Sequence, residues 1–138
     1  MMGYHLCHWI GRVYMVIEMD NILTARIIGY CFKLHTEIGP GHVEKVYHNG
    51  LITILKKEKV VFESEKRYKL FYQNEVIGSF KADLVIENKL IVELKSLERV
   101  IPEVFYRQTV SYLRSAKIPL GLIVNFGTNR CQIKRIVV

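Results

Sequence analysis

The run Lys81-Ala82-Asp83-Leu84-Val85-Ile86-Glu87-Asn88-Lys89-Leu90-Ile91-Val92-Glu93-Leu94-Lys95 reads as a β-hairpin. Two apolar, β-branched segments flank the polar turn Glu87-Asn88-Lys89. Strand side chains alternate, so Leu90, Val92 and Leu94 share one face while Ile91, Glu93 and Lys95 share the other. Asp83, on the neighbouring strand, can reach the face that carries Glu93. Burying a charge in such surroundings without a partner is costly, so three ionisable groups here need a reason. One reason is a structural ion pair of Lys95 with Glu93 or Asp83. The other is a divalent-cation site, because two carboxylates with waters and a phosphate oxygen are the donors Mg²⁺ accepts. Spacing alone leaves both open.

Outward from this hairpin, the elements alternate in type. Val76–Ile86 predicts one long strand, with Gly78 as a bulge position. Gln73-Asn74-Glu75 predicts a second hairpin turn. Arg67–Tyr72 places Tyr68, Leu70 and Tyr72 on one face, and Arg67, Lys69 and Phe71 on the other. Lys59–Glu63 is a further short β-branched run. Before it, Leu23, Ile27, Cys31, Leu34 and Ile38 recur at helical steps and predict a helix over 22–38, ended by Gly39-Pro40-Gly41. A second helix carries the stripe Val43, Val46, Tyr47, Gly50, Leu51, Ile54 and Leu55. Glu44, about 100° round from Val43, is expected on its core-facing arc. Lys56, Lys57 and Lys59 suit the negative end of that helix. After the central hairpin, Pro102 opens a helix over Glu103–Ala116. Leu120–Phe126 predicts a fully buried strand, and Gln132–Val138 a last one beyond Gly127-Thr128-Asn129. This order makes a mixed α/β sandwich.

The composition fits one globular domain. Half of the 138 residues are hydrophobic and about a quarter are charged. Uninterrupted apolar stretches are too short to cross a membrane. Twenty Lys and Arg against 13 Asp and Glu leave a net charge of +7, which suits a polyanionic partner. Cys7, Cys31 and Cys131 are widely spaced and odd in number, so buried small hydrophobes in a reduced, cytoplasmic setting are expected. His5, Cys7 and His8 lack a matching second pair of ligands. Met19 opens a cleaner pattern, so residues 1–18 are read as an N-terminal extension and residues 19–138 as the domain.

Asp83, Glu93 and Lys95 in the order Asp-x9-Glu-x-Lys, following a helix that bears an acid, resemble the PD-(D/E)xK nuclease superfamily. More narrowly, Gly41-His42-Val43-Glu44-Lys45-Val46-Tyr47 is similar to the run that names the GxxExxY proteins, a family of small prokaryotic proteins of that superfamily. The likeness continues in Ile28-Gly29, Ile38-Gly39-Pro40-Gly41, Ala82-Asp83-Leu84-Val85, Leu120–Gly127 and Lys134-Arg135-Ile136, and so covers about residues 22–138. Gln108-Thr109-Val110-Ser111-Tyr112 adds a QxxxY pair one helical turn apart. Two departures stand out. Phe105-Tyr106-Arg107 lies where the family often carries a histidine, and Lys81-Ala82 replaces the proline of the superfamily's name.

The resemblance implies an α/β fold with a restriction-endonuclease-like core, a mixed β-sheet flanked by helices in the order αβββαβ. It implies a nuclease that hydrolyses phosphodiesters with Mg²⁺, or Mn²⁺ in its place. Asp83, Glu93 and the Leu94 carbonyl would hold the ion, and Glu44 would reach it through water. Lys95 would position a water or offset charge, while Gln108 and Tyr112 would fix the phosphate or the lysine. Lys66, Arg67, Lys69, Arg107 and Arg114 are the candidate contacts to nucleic acid, DNA rather than RNA. A domain this small leaves room for a homodimer or a targeting partner to supply specificity. Two rival classes use the same residues differently: a non-catalytic nucleic-acid- or protein-binding module on the same fold, and an assembly protein pairing through apolar surface such as Ile136-Val137-Val138.

Overall fold

The computed structural model describes residues 10–138, with side chains from residue 20 onward. Helix α1 spans Ile10–Ile38 and helix α2 Glu44–Lys57. Strands β1 (Phe62–Tyr72), β2 (Glu75–Ile86) and β3 (Leu90–Lys95) follow. Helix α3 (Glu103–Ala116) then leads to β4 (Leu120–Asn125) and β5 (Gln132–Val137). The five strands form one sheet in the order β1-β2-β3-β4-β5. All neighbours are antiparallel except β3 and β4, which run parallel across the α3 crossover.

Apolar periodicity explains the two layers. Leu23, Ile27, Cys31 and Leu34 of α1 and Tyr47, Leu51 and Leu55 of α2 bury against Leu84, Ile86, Leu90, Val92, Leu94, Leu122 and Val124. On the opposite sheet face, Val85, Ile91, Ile123 and Ile136 pack with Ala82 against Leu113 and Ile118 at the end of α3. Cys31 lies in the first of these cores, and burial pushes the thiols of both Cys31 and Cys131 up, the latter to about 11.

Two boundaries and one helix face differ from expectation. The helix expected from Ile22 already begins at Ile10, because no proline or glycine pair interrupts the intervening backbone. The extension expected over residues 1–18 thus overlaps its first turns, and residues 1–9, with His5, Cys7 and His8, lie outside the described residues. Of the run Lys59–Glu63 only Phe62 and Glu63 are in a strand, and that strand continues without a break into Arg67–Tyr72. Lys59 instead sits in a turn at φ 55°, and Glu65 bends the strand at φ 54°. Glu44 and the adjoining Val43 and Val46 are exposed, so the buried arc of α2 is centred further round than the apolar stripe suggested. Packing decides this: His48 takes the buried edge that was assigned to Val43 and Val46.

Candidate active site at the fork of the sheet

Strand β2 pairs with β1 along nearly its whole length, from Phe62↔Ile86 to Tyr72↔Glu75. It pairs with β3 at three positions, Ile86↔Leu90, Val85↔Ile91 and Leu84↔Val92. Beyond Leu84 the two strands part, while β3 continues beside β4 to Lys95↔Asn125. The strands' orphaned backbone groups at this fork need other partners, since a buried unpaired N–H is costly. The two acids supply them. Asp83 Oδ2 accepts from the Leu94 N–H at 2.8 Å, and Glu93 Oε1 accepts from the Asp83 N–H at 3.3 Å.

Side-chain alternation breaks at the same point. Ala82 and Val85 both belong to the core beneath α3, whereas Leu84 and Ile86 belong to the core beneath α1 and α2. The break turns Asp83 into the fork, beside Glu93, which is 6% exposed. Burial first, then the charge of Asp83 and a proton shared with it, push the Glu93 carboxyl up to about 8.

A cleft of about 190 Å³ opens onto the fork, lined by Glu44, Lys45, His48, Glu65, Lys81, Asp83 and Leu94. Glu44 is the first residue of α2 and stands at its rim. Partial burial and then the charge of Asp83 raise its pKa, while Lys95 and His48 pull it back. His48, one turn further along, approaches the Asp83 carbonyl at 3.1 Å and Ser64 Oγ at 3.2 Å, tying α2 to β1 and β2. Glu65 lies 3.4 Å from Lys81 and 3.9 Å from Lys45, so one carboxylate bridges two lysines at the mouth.

The Gly41–Tyr47 run has a physical explanation. Gly41 turns the chain at φ +101°, where a side chain would be strained. Glu44 then starts the helix at the cleft. The Tyr47 hydroxyl reaches back, donating to the Gly39 carbonyl at 2.6 Å and accepting from the His42 N–H at 3.2 Å. Its ring stacks on Phe126 at 4.5 Å, which anchors the turn to the end of β4.

Lys95 forms no ion pair with either acid among the described residues. Its ammonium lies 4.3 Å from the centre of the Phe105 ring of α3. Tyr112, seven residues along α3, stacks on Phe80 at 4.1 Å, and Phe80 stacks on Tyr68. Burial raises the Tyr112 pKa, with the charges of Glu93 and Asp83 adding to it. Gln108 is exposed between Phe105 and Tyr112. The five basic candidates do not form one patch. Lys66 pairs with Glu63 at 3.0 Å, Arg67 and Lys69 are exposed on β1, and Arg107 and Arg114 are exposed on α3.

Sequence reasoning missed Lys45, His48, Glu65 and Lys81. The signal for His48 was its place one turn after Glu44, and for Lys81 its place two residues before Asp83 on one strand face. It also missed Asn125, fully buried at the end of β4. Its amide donates to the carbonyls of Leu97 and Arg99 and to Gln132, and its oxygen accepts from the N–H groups of Leu97 and Gly127. The loop after Lys95 is thereby strapped across β4. Gly127 permits the contact, since a Cβ there would meet Leu97 backbone atoms at 2.3 Å.

A profile of the PD-(D/E)XK nuclease superfamily matches residues 21–136. The chain belongs to that superfamily. The crystal structure of SSO0001 shares the fold, with a TM-score of 0.53 at 21% identity over 67% of this chain. The match spans 48% of that protein's length. No curated protein matches the chain. Five strands and three helices in this order form the mixed, restriction-endonuclease-like α/β fold that the motifs implied. Among the described residues, no helix is long and apolar enough to cross a membrane.

Nucleases of this superfamily commonly work with a divalent cation, and the donor set fits one in part. Asp83 and Glu93 offer hard carboxylate oxygens, which suit Mg²⁺ or Mn²⁺. The Leu94 carbonyl leaves β3 on the same side as the Leu94 N–H, toward the fork. Three acidic, histidine or cysteine side chains do not gather closely enough among the described residues to make a cage of their own. Waters would complete the shell, as they usually do for Mg²⁺.

Proposed function

We propose that this chain is a metal-dependent nuclease that hydrolyses phosphodiester bonds of nucleic acid, DNA before RNA, with its reaction centre at the fork. One observation carries this reading: Asp83 and Glu93 meet at the fork, yet Lys95 neutralises neither. A structural ion pair, the competing explanation for these charges, would have brought Lys95 onto one of them.

Asp83, Glu93 and the Leu94 carbonyl are the residues to hold Mg²⁺ or Mn²⁺, with Glu44 acting through water. The ion, when bound, supplies Lewis acidity toward the phosphodiester. The remaining chemistry falls to the chain. Lys95, held by Phe105 rather than by an acid, is free to offset negative charge as it grows on the phosphoryl oxygens. Glu44, with its raised pKa, can accept and return a proton at the cleft rim. Gln108 presents an amide beside Tyr112, where a phosphate or Lys95 can be oriented. Lys45 and Lys81 add positive charge at the mouth for the flanking backbone. The Gly41–Tyr47 buckle supports placing the chain among the GxxExxY proteins.

Cleavage assays on single- and double-stranded DNA and RNA, with Mg²⁺, Mn²⁺ or EDTA, test this. Metal-dependent cutting that disappears in Asp83→Ala and Lys95→Ala is the expected result. Binding without cutting would instead identify a non-catalytic module. Neither activity, together with a concentration-dependent dimer, would identify an assembly protein.

A further inference from the structure

The β1–β2 hairpin runs well past the rest of the sheet. Phe71 is 65% exposed, Tyr72 63%, Val76 55% and Ile77 66%. Four large apolar side chains thus flank one tip, Phe71 and Val76 paired on one face and Tyr72 on the other, around a two-residue turn of Gln73 and Asn74 with positive φ at both. That turn makes a hairpin without help from exposed apolar neighbours. A cluster of this kind on an otherwise polar protrusion marks a contact surface.

The flank of the hairpin indicates the partner. Arg67 lies opposite Lys81 and Lys69 opposite Ser79, so the three cations share one ribbon face. Lys81 also lines the cleft, so this basic row leads from the tip to Asp83. Arg67 and Lys69 have no ion-pair partner among the described residues. A second copy of the chain would set two such rows against each other, and like charges facing across an interface are unfavourable. A polyanion with apolar faces inside satisfies both features.

We propose that the β1–β2 hairpin is a DNA-engaging ribbon: Arg67 and Lys69 grip backbone phosphates, and Phe71, on their face of the ribbon with Val76 opposite it, presses against or between bases. A two-stranded antiparallel ribbon fits the major groove of B-form DNA, whereas the deep, narrow groove of A-form RNA excludes it. In the major groove apolar side chains contact the thymine methyl, and aromatic side chains stack on bases exposed by local unstacking. From Val76 to Asp83 the strand spans about 20 Å, or about six base-pair steps. The ribbon would therefore set a fixed distance between the site of distortion and the fork. The inference rests on the nuclease reading for its substrate, but its readout is binding.

The test uses the full chain in EDTA, with a 20-base-pair DNA duplex carrying 2-aminopurine and the RNA duplex of matching sequence. Wild type should bind the DNA duplex with a rise in fluorescence, as bases unstack, and bind the RNA duplex more weakly. Phe71→Ser/Val76→Ser should weaken DNA binding about tenfold and abolish the rise, with the salt slope unchanged. Arg67→Ala/Lys69→Ala should keep the rise at saturation but lower the salt slope by about 2. Circular dichroism checks the fold, and Phe71→Thr alone is a second tip variant should the first unfold. Unchanged DNA affinity in a folded tip variant overturns the proposal. So does equal binding of both duplexes, or a wild-type dimer that the tip variant dissociates with DNA binding intact. If the ribbon binds as expected but no metal supports cleavage, the nuclease reading fails and this one stands.

Discussion

The two halves of β2 share one strand but obey different rules. Leu84–Ile86 is paired on both edges and buried on both faces. Glu75–Asp83 is paired on one edge, and its residues up to Ser79 are mostly exposed. Asp83 stands where one regime becomes the other. There the backbone loses its β3 partner, and a side chain takes over the hydrogen bond that a strand would have made. The lesson is that this site is built where sheet pairing runs out. A continuous ladder would satisfy the Leu94 N–H by itself and leave no opening for a cation or a phosphate.

The largest expected effect lies at the junction. Asp83→Asn should lower metal-dependent cleavage about a thousandfold, by removing a charged donor. Thermal unfolding in EDTA should show little loss of stability, because an amide oxygen still accepts from Leu94. Marked destabilisation of that variant would mean that Asp83 is there to hold the sheet. In the inner half, Leu84→Ala should cost about 2–5 kcal/mol in denaturant unfolding, since its side chain is wholly enclosed.

Glu93 makes the junction sensitive to pH. The folded protein holds its proton up to about 8, whereas an unfolded carboxylate of this type releases it near about 4.3. Between those values the folded state carries the extra proton, so stability in EDTA should fall as pH rises and level off above about 8. Glu93→Gln should flatten that profile, and Mg²⁺ should raise the melting temperature more at pH 8 than at pH 5. A smaller change is expected away from the strand. Tyr47→Phe frees the Gly39 carbonyl and should cost about 1 kcal/mol, with a further loss of cleavage if the turn no longer presents Glu44. The smallest belongs to the outer half, where Ile77→Ser should move stability by no more than about 0.5 kcal/mol. A large loss there would dissolve the contrast between the halves.

Much of the fold was legible because local signals agree with it. Helix α3 has the bounds that Pro102 and Ile118-Pro119 announce, and the turns at Gln73-Asn74 and Glu87-Asn88 fall where polar residues interrupt β-branched runs. The bulge expected at Gly78 appears as the register shift between Leu70↔Gly78 and Phe71↔Val76. The candidate acids were legible for a related reason, since charge inside apolar strands is conspicuous. Glu44 was harder. Its neighbours Val43 and Val46 mimic a core stripe, and only the packing of Tyr47 on Phe126 and of His48 on Asp83 shows which arc is buried. The clamp formed by Asn125 left no trace, because its partners are backbone groups of a loop some 26 to 28 positions away.

Alternation, helical periodicity and turn chemistry act over a few residues, so the order of elements and the presence of acids and a lysine on the central hairpin follow from the chain as written. Where β2 leaves β3 depends on how two cores divide the strand between them. That division is a sum over contacts from α1, α2 and α3, and no segment contains it. The meeting of Asp83 with Glu93, the release of Lys95 to Phe105 and the cleft beneath Glu44 are consequences of that packing, and they exist only once the whole sheet has closed.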